Sequence, residues 1–82
     1  MIIEKFGQRI DATRKPIEAA RVALRASAGC GSKANAWAWA DDAVKALSFK
    51  SVEEADRLKS ILYDSSTNFP AVDAGIDYVE QL

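Results

Sequence analysis

The sequence predicts an all-α fold, a small bundle of four helices, or five if the first one divides. Three observations lead there. Apolar side chains recur at helical spacing through nearly the whole chain, and alanine is abundant among them. Ser32, Ser51 and Asn68 each stand where a helix N-cap is wanted. With 82 residues the chain is expected to form a single domain over 1–82.

The first segment reads as a helix from Ile2 to about Ala28. At ~100° per residue, Ile2, Phe6, Ile10, Ile17, Ala20, Leu24 and Ala28 share one arc of about 100°. The phase holds across Pro16, which suggests a long helix kinked there. Two readings compete with it: two helices with Thr13 as N-cap and Pro16 in the first turn, and a short strand at Ile2–Phe6. Gly29 suits a left-handed C-cap, and Ser32 suits the N-cap of the next helix. That second helix covers about Lys33 to Leu47. Its apolar residues occupy half of the circumference, so more than one neighbour is needed to cover it.

Ser51 and Glu54 make a capping box for a third helix reaching about Tyr63, with Val52, Ala55, Leu58 and Leu62 inward and a Glu53–Arg57 pair outward. Asp64-Ser65-Ser66-Thr67-Asn68 reads as a turn. Asn68 then caps a last helix, with Pro70 in its first turn and Phe69, Val72, Ile76, Val79 and Leu82 on the buried face.

Composition narrows the chemistry. There is one cysteine, Cys30, and no histidine, which removes an intrachain disulfide and Cys/His zinc sites. No cofactor and no metal is expected, and neither is a small-molecule substrate. The start of the chain lacks a signal peptide's apolar run, and no apolar stretch approaches the length of a membrane span. A cytoplasmic location is therefore the expectation. The net charge of −1 conceals an asymmetry: residues 1–33 carry seven Lys/Arg and three acids, residues 34–82 four Lys/Arg and nine acids. Such a split fits either packed halves that match electrostatically or two separate binding faces.

Each candidate site has an ordinary alternative. Gly29-Cys30-Gly31-Ser32-Lys33 resembles a phosphate loop only loosely, since the Ser-Lys order is reversed and no strand is expected before it. Cys30 has no histidine base, so an incidental thiol is expected. The adjacent pairs Asp41-Asp42 and Glu53-Glu54 diverge by ~100° on a helix and serve its N-terminal dipole rather than acid–base work.

Trp37 and Trp39 point about 200° apart and should mark the two edges of the second helix's apolar stripe. Either could anchor an interface or close the core. Arg14, Arg21 and Arg25 fall in one helical row with Glu18 between them, a candidate phosphate contact or a solvated face. Asp73, Asp77 and Glu80 form an acidic row on the last helix, set for a basic partner or for the arginine row of the first segment.

No enzyme is expected from this set. The reading it favours is a protein-binding protein, a small inhibitor or adaptor using Trp37, Trp39, Asp73, Asp77 and Glu80. Its partner would be a larger protein or a second copy of the chain. Size and lack of motif suggest the kind of protein that phages and mobile elements direct against host or defence complexes. The runner-up is a helix-turn-helix-like DNA-binding accessory using Arg14, Arg21 and Arg25, against which the acidic last helix counts.

Overall fold

The computed structural model describes residues 1–64 and 68–82. The chain is mostly helical, but it does not begin as a helix. A β-hairpin comes first, β1 (Ile2–Lys5) and β2 (Gln8–Asp11), followed by α1 (Pro16–Ala28), α2 (Lys33–Ser48), α3 (Val52–Tyr63) and α4 (Val72–Glu80). The expected long helix from Ile2 is therefore corrected: the helix starts at Pro16, and the strand alternative at Ile2–Phe6 is the one that the fold adopts, extended into a hairpin.

The reason lies in how the two strands pair. Antiparallel register sets Ile3 opposite Ile10 and Glu4 opposite Arg9, with Lys5 facing Gln8 across a two-residue turn. Ile3 and Ile10 point into the core while Ile2 and Phe6, expected inside, are exposed. Phe6 and Gly7 both take positive φ, 57° and 74°, as the primed turns of tight hairpins require. Glycine adopts that conformation freely. Phenylalanine does not, at a cost of about 1–2 kcal/mol. Phe6→Asn is thus expected to raise the urea midpoint by the equivalent of about 1 kcal/mol. An unchanged or lower midpoint would show that Phe6 makes stabilising contacts that offset the strain.

Between hairpin and helix, Asp11 organises the turn. Its carboxylate accepts from the Thr13 hydroxyl at 2.7 Å and from the Thr13 N–H at 3.0 Å. Its backbone carbonyl accepts from Arg14 and Lys15. Thr13 is consequently part of this turn and not the N-cap of α1. Lys15 holds that position, with Pro16 as the first helical residue, where its missing N–H costs nothing.

α1 and α2 form the broadest helix contact, and alanine makes it close. Ala19, Ala20, Ala23 and Ala26 on α1, and Ala36, Ala40, Ala43 and Ala46 on α2, are all buried. Ser27 donates to the Ala36 carbonyl at 2.6 Å across this contact, which satisfies a polar group deep in the seam. Leu24, Leu47, Leu58, Leu62 and Val79 fill the centre. Gly75 lets α4 approach Leu24, Leu58 and Leu62.

The caps are partly as expected. Ser32 accepts from the Asn35 N–H and Ser51 from the Glu54 N–H. The return arm of the capping box does not form, because Glu54 turns to Lys50 and the Ser51 N–H donates to the Leu47 carbonyl. Gly29 closes α1 at φ −84°, right-handed and not left-handed. The last helix begins at Val72, capped by Ala71, so Asn68 and Pro70 precede it. Val52, Phe69 and Leu82, expected on buried faces, are exposed. Ser65, Ser66 and Thr67 of the expected turn lie outside the described residues.

Candidate interaction surface

The two tryptophans lie on opposite edges of α2, each half-buried against a different neighbour. Trp37 reaches α3 and the segment before α4. Its ring lies 4.5 Å from that of Tyr63, tilted by 39°, and its indole Nε1 donates to the Asn68 carbonyl at 2.8 Å. A tilted aromatic pair of this kind adds about 0.5–1.5 kcal/mol beyond simple burial. Trp39 meets the hairpin instead, with the Lys5 ammonium 5.8 Å from its ring centre.

Around Trp37 the surface is aromatic and acidic. Tyr63 donates its hydroxyl to Asp41 at 3.0 Å. That hydrogen bond is the main cause that holds the Tyr63 pKa above 10.0, with desolvation and the Asp41 charge adding to it. Tyr63 therefore remains a neutral donor at physiological pH. The Lys59 ammonium lies 5.9 Å from its ring centre. Tyr63 and Phe69 are both substantially exposed.

Beside this patch a pocket of about 270 Å³ opens between the end of α1 and the start of α4, lined by Ala28, Cys30, Ala36, Pro70, Val72 and Asp73 among others. The Cys30 thiol donates to the Ala26 carbonyl at 3.2 Å, a satisfied and ordinary position.

The acidic row is divided. Glu80 pairs with Arg25 at 3.8 Å, which joins the two rows that the sequence set against each other. Both side chains are about half exposed, so the pair contributes little to stability. Asp73 and Asp77 are exposed and have no cation within 4.0 Å among the described residues.

The arginine row is broken up. Arg14 precedes α1 instead of lying on it, since Pro16 starts the helix. It lines a shallow groove with Lys15, Ile17, Arg21 and Lys50, while Arg25 faces Glu80 elsewhere. Glu18 pairs with Lys15 at 3.7 Å and not with Arg14 or Arg21. Asp11, adjacent to this groove, has its pKa lowered chiefly by the two Thr13 hydrogen bonds, with Arg14 a minor cause.

No family model matches this chain, and no curated protein or solved structure matches it either. Among the described residues no group of three or more His, Cys, Asp or Glu side chains is placed to hold a metal ion. No helix there is long and apolar enough to cross a membrane.

Three residues of this surface escaped the sequence reading. Tyr63 and Asp41 come together from positions 22 apart in sequence, and Asn68 contributes its backbone instead of its side chain. Only the aromatic character of Tyr63 at the end of the third helix could have flagged it.

Proposed function

We propose that this chain is a non-enzymatic protein-binding protein, a small inhibitor or adaptor, whose contact surface centres on Trp37 and Tyr63 and extends to Asp73 and Asp77 on α4. The observation that carries this reading is the Trp37–Tyr63 pair, partly open to solvent, with the Asp41 carboxylate on Tyr63 and the segment 68–70 leading from Trp37 to the pocket whose rim holds Asp73. A rigid aromatic pair supplies contact area with little ordering cost, and aromatic residues dominate the energetic centres of interfaces. Exposed carboxylates beside it favour a partner with a basic rim and repel acidic ones. A core this small gains stability from such association.

Nucleic-acid binding has one observation in its favour: Arg14, Lys15, Arg21 and Lys50 share a groove. It is the weaker reading. Arg25 is engaged with Glu80, and Glu18 and Asp11 interrupt the cations.

Asp73→Lys combined with Asp77→Lys tests the proposal on the chain and its captured partner. The expected result is an affinity loss of about tenfold or more and a flatter salt dependence, because the favourable charge pairs are gone. Unchanged affinity and salt dependence would remove α4 from the interface.

A further inference from the structure

The hairpin tip is not used by the surface just described, and it has an unusual build. Phe6 is the most exposed aromatic side chain among the described residues, at 62%, and it occupies a backbone conformation that asparagine or glycine would fill without strain. A strained backbone that holds an apolar ring in water calls for a ligand for that ring. The flanks of the tip carry Lys5 and Arg9, together with Glu4, which pairs with Arg9 at 3.3 Å.

The molecule also carries a socket for such a ring, with apolar walls that include Ala28, Pro70 and Val72 and polar groups from Ser27, Cys30 and Asp73. The pocket between the end of α1 and the start of α4 has a volume of about 270 Å³. About 150 Å³ suffices for a benzene ring, while sites for small-molecule ligands begin near ~300 Å³. The space thus suits one aromatic side chain better than a cofactor. Its rim carries Asp73, which has no cation partner among the described residues. Phe6 does not line this pocket in its own chain, where its ring stands exposed at the hairpin tip.

We infer that the chain self-associates head to tail, Phe6 of one copy entering the pocket beside Ala28, Pro70 and Val72 of the next, with Lys5 and Arg9 meeting Asp73. The charge asymmetry supports this choice of occupant. The flanks of the knob carry Lys5 and Arg9, and among the described residues Asp73 is the one charged residue in the lining of the socket, while a net charge of −1 sets up little repulsion between copies. The contact is heterologous, so it does not close as a two-fold dimer; it builds chains or a ring. It needs no larger partner, and in this respect goes beyond the protein-binding reading.

Sedimentation of the purified full chain from about 10 μM to about 1 mM, with reductant present so that Cys30 cannot cross-link, tests the inference. The wild-type mass should rise with concentration. Phe6→Asn removes the knob while favouring the turn, and Ala28→Arg blocks the socket from an exposed position in the last turn of α1, where a cation suits the helix. Each variant should keep its helical circular dichroism and weaken association by at least about 30-fold.

An equimolar mixture of the two variants is the decisive arm. One retains the socket and the other the knob, so they should form a one-to-one dimer and nothing larger. A wild type that stays monomeric at about 1 mM overturns the inference. So does association that either variant leaves unchanged, or a mixture that remains monomeric. Asp73 is common to both surfaces, but these variants leave Trp37, Tyr63 and Asp77 unchanged, and the reading of a larger partner is judged separately by whether a different protein is captured.

Discussion

Gly75→Val is expected to cost about 3 kcal/mol, a large share of the total stability of an 82-residue chain, which is on the order of 4–12 kcal/mol. A Cβ at Gly75 would stand 2.9 Å from Leu62 Cδ2, 3.3 Å from Leu58 Cδ1 and 3.6 Å from Leu24 Cδ1. All three leucines are fully buried, so none has open space to retreat into. The closest contact is with the end of one side chain, which can yield slightly to a single methyl. Alanine would also gain about 1 kcal/mol of helix propensity over glycine, so Gly75→Ala should lose only about 1 kcal/mol net. Valine adds two further methyls and forces α4 off α1 and α3. Urea unfolding followed by circular dichroism measures both. Equal midpoints for wild type and Gly75→Val would mean that α4 does not pack as closely as described.

The second large effect is at the other end of the chain. Ile10→Asp should release the hairpin from the helices while leaving the helical circular dichroism nearly intact. A charge at this buried position cannot remain there unpaired, so the hairpin is expected to undock rather than bury it. The loss is then limited to what docking contributes. Burial of Ile3 and Ile10, at about 1.5–3 kcal/mol each, sets it at roughly 3–6 kcal/mol. Hydrogen exchange should accelerate at Ile3, Lys5 and Gln8 and stay slow at Leu24 and Leu58. Uniform acceleration would show instead that the hairpin and the helical core unfold as one unit.

These two sites illustrate what periodicity can and cannot reveal. Leu58, Leu62 and Val79 were legible as core because each lies on the apolar stripe of its own helix, a property contained within one segment. The hairpin was not legible in that way. Ile2, Phe6 and Ile10 happen to keep helical phase with Ile17 and Leu24, yet the contact that decides the fold is Ile3 opposite Ile10, a relation between two strands. The turn cue was also disguised, since phenylalanine stands where asparagine usually precedes glycine. Once the helix begins at Pro16, the arginine row cannot survive: Arg14 belongs to the preceding turn, and only Arg21 shares its groove.

The candidate surface divides similarly. A separation of about 200° placed Trp37 and Trp39 on opposite edges of α2 from the sequence alone. What each edge meets depends on distant segments: Tyr63 and the Asn68 carbonyl for Trp37, Lys5 for Trp39. Pairing between the two charged rows is one of the arrangements that the sequence allows, and among the described residues it is met at Arg25–Glu80 alone. Asp73 and Asp77 have no cation partner within 4.0 Å among the described residues, and this leaves them available to a partner.

The central claim, that the chain works by binding a protein through this surface, is tested most directly by parallel capture from a native-host lysate. Tagged wild type and the Asp73→Lys, Asp77→Lys variant would be used side by side, each with and without nuclease. The account predicts one protein held in stoichiometric amount by the wild type after nuclease treatment and lost from the variant. Material that disappears with nuclease, and that the variant holds as well as the wild type does, would contradict it and transfer the function to the groove of Arg14, Lys15, Arg21 and Lys50.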